Sequence, residues 1–165
     1  MKTLITVVLL LLVLTWYLSF LASRLDRLHH RVETSWEHLD ALLQRRAAVA
    51  LEIAHSTGID PATSLVLTAS AYQAREATIL ERSDSESSLS QSLKMIADQE
   101  SSNPIDPDLL KQLKEITDKI KIGIVIHLEA VNTARTVRGK FFVKLFRLAG
   151  HAPLPVRYAF EDDVL

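Results

Sequence analysis

The longest apolar segment of the chain runs from Thr3 to Ala22 and contains twenty residues without a charge, a proline or a glycine. As an α-helix rising about 1.5 Å per residue, this segment is about 30 Å long, which is the hydrocarbon thickness of a bilayer. Trp16 and Tyr17 lie towards one end, where aromatic side chains favour the headgroup region. The pattern predicts a transmembrane anchor over residues 1–22.

Other interpretations of this segment are less consistent with its residues. The core of a cleavable signal peptide is usually shorter and ends in a small-x-small site, and cleavage after Ala22 would put Phe20 where a small residue is needed. A lipoprotein anchor requires a cysteine, and the chain has none. A buried core helix normally carries a polar stripe, which the few hydroxyl residues here do not form. We therefore expect an uncleaved span.

The charges that flank the anchor indicate its orientation. Lys2 precedes the anchor, whereas Arg24, Arg27 and Arg31 follow it. Cytoplasmic flanks of membrane helices carry an excess of Lys and Arg. We expect a single-pass protein of the cell membrane, with the rest of the chain on the cytoplasmic side.

The segment from Ser23 to about Thr57 repeats apolar residues at spacings of three and four, which is typical of a long amphipathic helix. The stripe consists of Leu25, Leu28, Val32, Leu39, Leu42, Val49 and Ile53, and is widened by Trp36, Leu43 and Ala50. Ser35 and Arg46 occupy the two vacant stripe positions. The predicted helix is roughly 50 Å long, continues from the anchor, and ends at Gly58 as C-cap.

A second helix is predicted to start at Asp60-Pro61, which supplies an N-cap followed by proline at the first helical position. It runs to about Arg82, and we expect one stripe to face inward: Leu65, Ala69, Tyr72 and Ile79.

Ser83 and Glu86 match a capping box, which predicts that a third helix starts here. Its inward residues are then Leu89, Leu93 and Ile96. Alternatively, a single helix runs from Pro61 to Asp98, and the whole would be a three-helix hairpin.

The last long helix starts at Asp106-Pro107, after a loop at residues 101–104. Its predicted stripe is Leu110, Leu113, Ile116, Ile120, Ile124, Val131 and Ala134, with His127 between. Gly139 bends this helix and Gly150 ends it, and residues 151–165 form an extended acidic tail. The predicted fold is all-α: an N-terminal transmembrane helix followed by an up-and-down bundle of about four helices over residues 23–150.

The composition narrows the functional class. With 19 basic and 20 acidic residues, the chain has no overall field that would recruit nucleic acid or acidic substrates. The absence of cysteine excludes disulfides, Cys-ligated zinc and a thiol nucleophile.

The first long helix contains Trp36-Glu37-His38-Leu39-Asp40, followed by Leu43 and Arg45-Arg46. This order of residues is similar to the W-x-x-[IL]-D-x-x-L-x-R-R stretch of the LemA family of bacterial membrane proteins. Further similar motifs follow in the same order: Ala74-Arg75, Glu86-x-x-Leu89-Ser90-x-x-Leu93 and Pro107-Asp108-Leu109. The resemblance covers most of residues 1–150 and implies an anchored, cytoplasmic bundle of four helices with no established catalytic residues.

The chain departs from the LemA pattern in its last helix. Where the family usually has an Arg, a Tyr-Asn pair and a second Asn, this chain has Ile124, His127-Leu128 and Arg135. The proline that commonly follows the Arg-Arg stretch is also missing. These departures predict that this protein lacks any specific function that those polar groups have in the family.

Two groups of histidine and glutamate have spacings that are found in metal sites. Glu52 and His55 form a Glu-x-x-His pair, but a di-metal bundle site needs a second pair, which the sequence lacks. His30, Glu33 and Glu37 share a helix face, where such pairs are common helix stabilisers. No nucleophile–base–acid set, phosphate loop or serine elbow is present. We expect no metal, no cofactor and no enzymatic activity.

Four residues of the first helix are candidate contacts for a partner protein: Trp36, Asp40, Arg45 and Arg46. A structural role is also open, in which Trp36 packs in or beside the stripe and Arg46 either snorkels or pairs with an acid on a neighbouring helix.

The stretch from Arg135 to Arg147 carries five cations and no acid, beside several phenylalanines. One interpretation is that this stretch is simply the end of a core helix. In a four-helix up-and-down bundle, however, this stretch returns to the anchor, whereas a three-helix hairpin puts it far away. The candidate membrane-surface contacts are Arg24, Arg27, Lys140, Lys144 and Arg147.

These patterns lead to two functional hypotheses. The first is a membrane-anchored scaffold or adaptor that acts through protein contacts. The alternative is a lipid-directed protein whose basic amphipathic C-terminal helix organises or senses anionic membrane. The expected partners are the lipid bilayer and an unidentified membrane-proximal protein, with homo-oligomer formation left open and no nucleic acid.

Overall fold

The computed structural model describes residues 1–56, 59–78, 81–99 and 105–146. In these ranges the chain forms helices and no strand: α1 (Lys2–Ala54), α2 (Pro61–Glu76), α3 (Arg82–Gln99), α4 (Pro107–Arg138) and α5 (Phe141–Leu145). The predicted all-α fold, a long apolar N-terminal helix followed by packed helices, is confirmed. Thr57, Gly58, Ile79, residues 101–104, Arg147, Gly150 and the tail at residues 151–165 lie outside the described residues.

The chain divides into two compact units. Among the described residues, the anchor unit contains residues 1–35 and 127–146, and the core unit contains those between 36 and 126. Helix α1 is continuous over 53 residues and contributes to both units. Its buried positions follow the predicted stripe, with Leu25, Leu39, Val49 and Ile53 inside.

The core unit is held together by one apolar cluster drawn from all four long helices. Leu39 and Leu43 of α1, Leu67 of α2, Leu89 of α3 and Ile120 of α4 are fully buried in it. Burying one such side chain contributes about 1.5–3 kcal/mol. The inward residues predicted for the third helix are confirmed, because Leu89 and Ile96 are buried and Leu93 packs against the cluster.

Helix α4 approaches α1 closely at Gly123. A Cβ atom added at this residue would lie 3.3 Å from Cδ1 of Leu39 and 3.7 Å from Cδ1 of Leu42. A methyl group at this position would require Leu39 to shift by only a few tenths of an ångström, whereas a larger side chain would not fit between the two helices.

The prediction for the inner face of α2 is wrong. Leu65, Ala69 and Tyr72 are exposed, and the buried residues are Leu67, Ser70, Ala71 and Ala74. Small residues on the buried face allow α2 to pack closely. Because apolar residues occur on both faces of this helix, the spacing of apolar residues in the sequence does not show which face is buried. The predicted start is observed: Asp60 Oδ2 accepts hydrogen bonds from the backbone N–H groups of Ala62 and Thr63, at 3.0 and 3.2 Å.

Helices α2 and α3 are separate, as the first of the two alternatives proposed, but the capping box is not what starts α3. Helix α3 begins at Arg82, so that Ser83 lies inside its first turn. Just before it, the hydroxyl of Thr78 donates a hydrogen bond to the Glu81 carboxylate. Glu86 is engaged instead by a partner on α1, described below.

The anchor unit contains the apolar half of α1, the C-terminal part of α4, and α5. Leu21 and Leu25 of α1 form a buried cluster with Val137 of α4 and Val143 of α5. The last helix therefore returns to the end of the predicted anchor, as expected for the four-helix topology and not for the three-helix hairpin.

Candidate functional site

A buried charge cluster links α1 and α3 inside the core unit. Its members carry two positive and two negative side chains and one hydroxyl: Asp40, Arg46, Arg82, Glu86 and Ser90. Charges inside a protein are stable only when they are paired and hydrogen-bonded, and the members of this cluster pair with one another.

Arg46 and Glu86 are the centre of the cluster, with 1% and 0% of their surfaces exposed. Nη2 of Arg46 lies 2.7 Å from Oε2 of Glu86, 3.2 Å from the Glu86 carbonyl oxygen and 3.1 Å from Oγ of Ser90. Glu86 Oε1 and Arg46 Nε are buried without a hydrogen-bond partner among the described residues. The two side chains are therefore joined only through Nη2 of Arg46 and Oε2 of Glu86. Loss of this contact would leave both buried charges unpaired and would lower the free energy of unfolding.

Arg82 connects three helices from the first residue of α3. Its Nη1 donates to the Ala74 carbonyl oxygen at 2.7 Å, and its Nη2 forms an ion pair with Asp40. Ala74 lies in the last turn of α2, where carbonyl groups have no partner within the helix. Arg82 therefore caps α2 and ties it to α1.

The interior shifts the titration of the central pair. Burial raises the pKa of Glu86 above its ordinary value, and the opposing effects of Arg46 and Arg82 are smaller. Burial also lowers the pKa of Arg46, against the attraction of Glu86. Burying either charge alone would therefore destabilise the folded protein, whereas the two charges together stabilise each other.

The four candidate partner contacts lie in different environments. Arg46 is inside the bundle, paired with an acid on a neighbouring helix, so it presents no surface to a partner. Asp40 is partly exposed and engaged by Arg82. Trp36 packs against the core cluster with part of its surface exposed, and Arg45 is exposed.

Two apolar surfaces of the core unit face outward. The first, the α2 face, consists of Ala62, Leu65, Val66, Ala69 and Tyr72. The second, the α4 patch, consists of Ile122, Val125 and Ile126. Contiguous apolar patches of this kind mark interaction sites in folded proteins more often than single exposed apolar residues do.

The anchor unit carries a third outward apolar surface, along the first part of α1. This helix contains a window with mean hydropathy 2.5 that is 6% buried, which makes it a candidate membrane span by length and composition. Trp16 and Phe20 stack at its end, with ring centroids 6.4 Å apart. The side chains from Leu4 to Val13 are mostly exposed, so nothing in the described part of the chain covers them.

Cations and apolar side chains lie together around α5 in the same unit. Arg24, Arg27, Lys140 and Lys144 are exposed. So are three large apolar residues, Phe141, Leu145 and Phe146, while Val143 is buried against α1. The structure thus brings four of the five candidate membrane-surface contacts into one unit, and Arg147 lies outside the described residues.

A polar contact links α1 and α4 in the anchor unit. The Ser35 hydroxyl lies 2.8 Å from the Val32 carbonyl oxygen and 2.9 Å from Nδ1 of His127. Because the hydroxyl donates to that carbonyl, Nδ1 of His127 carries the proton and donates to Oγ. Burial lowers the pKa of His127, which keeps the ring neutral.

The predicted metal candidates are not drawn together. Nδ1 of His55 lies 2.6 Å from the Leu51 carbonyl oxygen of its own helix. In the part of the chain that the structure describes, no three histidine or acidic side chains are grouped closely enough to hold a metal ion.

Sequence reasoning missed the partners of Arg46, but a signal for them was present. Glu86 has the same helical phase as Leu89, Leu93 and Ile96, which were all expected inside. An arginine in the stripe of one helix and a glutamate in the stripe of another favour a buried pair. Arg82 had no such signal, because its role depends on where α2 ends.

Comparisons with known proteins were made at three levels. No family model matches the chain. No curated protein matches it. No solved structure matches it either. The resemblance to the LemA family therefore stays a prediction that depends on the short motifs and their order.

Proposed function

We propose that this protein is a single-pass membrane protein whose helical bundle is a scaffold for other proteins at the cytoplasmic face, without enzymatic activity. The observation that carries the proposal is the combination of an exposed apolar N-terminal segment with outward apolar surfaces on the core unit. The LemA resemblance is in keeping with such a role and is proposed on its motifs alone.

The α4 patch is the surface that we propose for a partner protein. Val125 is 65% exposed and Ile122 is 63% exposed, so both side chains are available without a change in the bundle. Apolar anchors at the centre of an interface supply most of its binding free energy. The apolar core supports this role, because Ile116 and Ile120 of α4 are buried in the same cluster as Leu39 of α1 and so hold the helix that carries the patch.

Photo-crosslinking from the full-length protein in native membranes tests the scaffold proposal. A photoreactive residue at Val125 is expected to give an adduct with another protein, whereas one at Lys111, an exposed polar position of the same helix, gives none. Ile122→Glu is expected to remove the adduct. Equal adducts from both positions would contradict the proposal, as would an adduct that Ile122→Glu leaves unchanged.

A second candidate function, binding of anionic lipid, is favoured by one specific observation. Lys140 and Lys144 lie beside exposed Phe141 and Leu145 in a unit that also contains the proposed anchor. Near an anionic surface each cation is worth about 1 kcal/mol, and the apolar side chains enter the headgroup boundary.

A single fluorophore tests the lipid proposal, because the chain has no cysteine. Leu145→Cys carries an environment-sensitive dye in full-length protein that is reconstituted into bilayers. We expect a blue shift in anionic bilayers relative to neutral ones, which high salt and Lys140→Glu/Lys144→Glu reduce. The same spectrum in both bilayers would rule out lipid sensing by α5.

The proposed orientation depends on Arg24, Arg27 and Arg31 following the anchor. A reporter fused after Leu165 is expected to be active only in the form that works in the cytoplasm. Activity on the opposite side of the membrane would restrict the partners to proteins of that compartment and contradict the proposed location.

A further inference from the structure

Two polar atoms of the central ion pair lie near each other in the core unit, and neither has a hydrogen-bond partner among the described residues. These atoms are Nε of Arg46, a donor, and Oε1 of Glu86, an acceptor. Nε is bonded to the carbon that carries Nη2, and Oε1 to the carbon that carries Oε2, so both lie beside the 2.7 Å contact between Nη2 and Oε2. Buried donors and acceptors are almost always satisfied, so an unpaired donor and acceptor this close together indicate that something joins them.

The polar side chains next to the pair do not supply the missing hydrogen bonds. The Ser90 hydroxyl donates to the Glu86 carbonyl oxygen at 2.9 Å and accepts from Nη2 of Arg46 at 3.1 Å, so its proton is already used. Both terminal nitrogens of Arg82 are engaged elsewhere. Its Nε is buried without a partner among the described residues, so it adds a second donor that needs an acceptor.

The charges of the cluster restrict what can join these atoms. The two arginines repel a cation, and the carboxylates of Glu86 and Asp40 repel an anion. Because the two positive and two negative side chains already balance, an added ion would have no counter-charge. The bridging molecule must therefore be neutral, and it must both donate and accept hydrogen bonds.

The burial of the pair restricts the size of this molecule. Arg46 and Glu86 are 1% and 0% exposed, so the bridge lies inside the bundle. Ala50, one helical turn after Arg46, is fully buried and leaves more room beside the pair than a larger side chain would. Water is the smallest molecule that donates and accepts hydrogen bonds, and it is the usual partner of buried polar groups that the protein itself leaves unsatisfied.

We propose that one ordered water molecule bridges Arg46 and Glu86, accepting a hydrogen bond from Nε–H of Arg46 and donating one to Oε1 of Glu86. Buried waters typically make about three hydrogen bonds, and the second lone pair of this water suits Nε–H of Arg82, one helical turn before Glu86. The ion pair is then held by one direct and one water-mediated contact, and neither of its charges keeps an unsatisfied atom.

The Nε–H proton of Arg46 reports on this water in NMR spectra of ¹⁵N-labelled full-length protein in detergent micelles. A bound water gives this proton cross-peaks of opposite sign in NOE and ROE spectra, whereas chemical exchange with solvent gives the same sign in both. We expect the bound-water signature at Arg46 and exchange alone at Arg45, its exposed neighbour. Arg46→Lys, which has no Nε–H, identifies the resonance by its loss.

Ser90→Ala separates the water from the nearest hydroxyl, whose proton also exchanges with solvent. The cross-peak at Arg46 is expected to keep its intensity in this variant, and its loss there would assign the signal to the hydroxyl and overturn the water. Absence of the bound-water signature in the unmodified protein overturns it too. A scalar coupling between Nε of Arg46 and the carboxyl carbon of Glu86 would also overturn it, because the two side chains would then bond directly at both ends. All residues of the site lie in the core unit, so neither result bears on the proposed anchor or scaffold role.

Discussion

Removing Arg46 gives the sharpest prediction from the structure. The side chain is 1% exposed and its Nη2 is the hydrogen-bond donor to Glu86 Oε2 at 2.7 Å. In Arg46→Met the methionine fills much of the volume, but Glu86, which is 0% exposed, keeps a carboxylate without its counter-charge. Breaking a buried pair in this way costs about 3–5 kcal/mol in the free energy of unfolding.

The double substitution separates the value of the pair from the cost of a lone charge. In Arg46→Met/Glu86→Leu both charges are gone, and replacing a buried pair with apolar groups is often neutral or stabilising by about 1–4 kcal/mol. We therefore expect the double variant to unfold at a urea concentration close to that of the unmodified protein or above it. Arg45→Met is the matched control, because its side chain is exposed, and should change stability by less than about 0.5 kcal/mol.

Acid provides an independent readout of the same variant. A carboxyl group whose pKa is raised in the folded state stabilises the fold below its unfolded pKa, and this contribution is lost as the pH rises through the raised value. Burial raises the pKa of Glu86, and loss of Arg46 removes an effect that lowers it. Arg46→Met is thus expected to recover part of its deficit between neutral pH and pH 5, relative to the unmodified protein.

The assay is urea unfolding of the full-length protein in detergent micelles, followed by circular dichroism at both pH values. The reasoning is refuted if Arg46→Met is no less stable than Arg45→Met. It is also refuted if the double variant is as unstable as the single one, because the cost could not then come from the unpaired carboxylate.

Three further predictions concern single residues, each measured by thermal or urea unfolding. Burial lowers the pKa of His127 from its ordinary value of 6.5. The neutral ring therefore stabilises the fold above pH 6.5, and this stabilisation is lost as the pH falls through the lowered pKa. His127→Gln should reduce this dependence of stability on acid. Gly123→Ala should leave the free energy of unfolding nearly unchanged, because the about 1 kcal/mol gained in helix propensity is offset by a tight contact with Leu39. Gly123→Leu should lower the free energy of unfolding by about 1–3 kcal/mol, because the larger side chain overpacks the contact between the helices. Asp60→Ala removes two hydrogen bonds to backbone amides and should cost about 1 kcal/mol, with Asp60→Asn retaining most of the stability. An acid dependence that His127→Gln leaves unchanged, a neutral Gly123→Leu, or an Asp60→Ala that matches the unmodified protein would contradict the respective argument.

The two long helices were predictable because their apolar stripes are bordered by charges. In α4, Ile116, Ile120 and Val131 are buried as expected, and the lysines and glutamates between them point to solvent. Here burial of one face and solvation of the other select the same rotation of the helix, so local pattern and packing agree.

The rotation of α2 was not predictable, because the segment from Pro61 to Ala74 has no charges to mark its outer face. Leu65 and Leu67 are equally apolar, and only contact with the rest of the bundle decides that Leu67 is inside. The function of Glu86 was missed for a related reason. A capping box is a local pattern, whereas the Arg46 that engages this carboxylate lies forty residues away in sequence.

The packing of Val137 and Val143 against Leu21 and Leu25 has a consequence for the depth of the anchor. A helix held at this level cannot slide to supply more length to the hydrocarbon. The proposed span from Thr3 to Ala22 is about 30 Å long, which matches the roughly 30 Å of an average bilayer. In the proposed membrane location, this packing therefore lies at the bilayer surface and sets which part of α1 is available to the hydrocarbon.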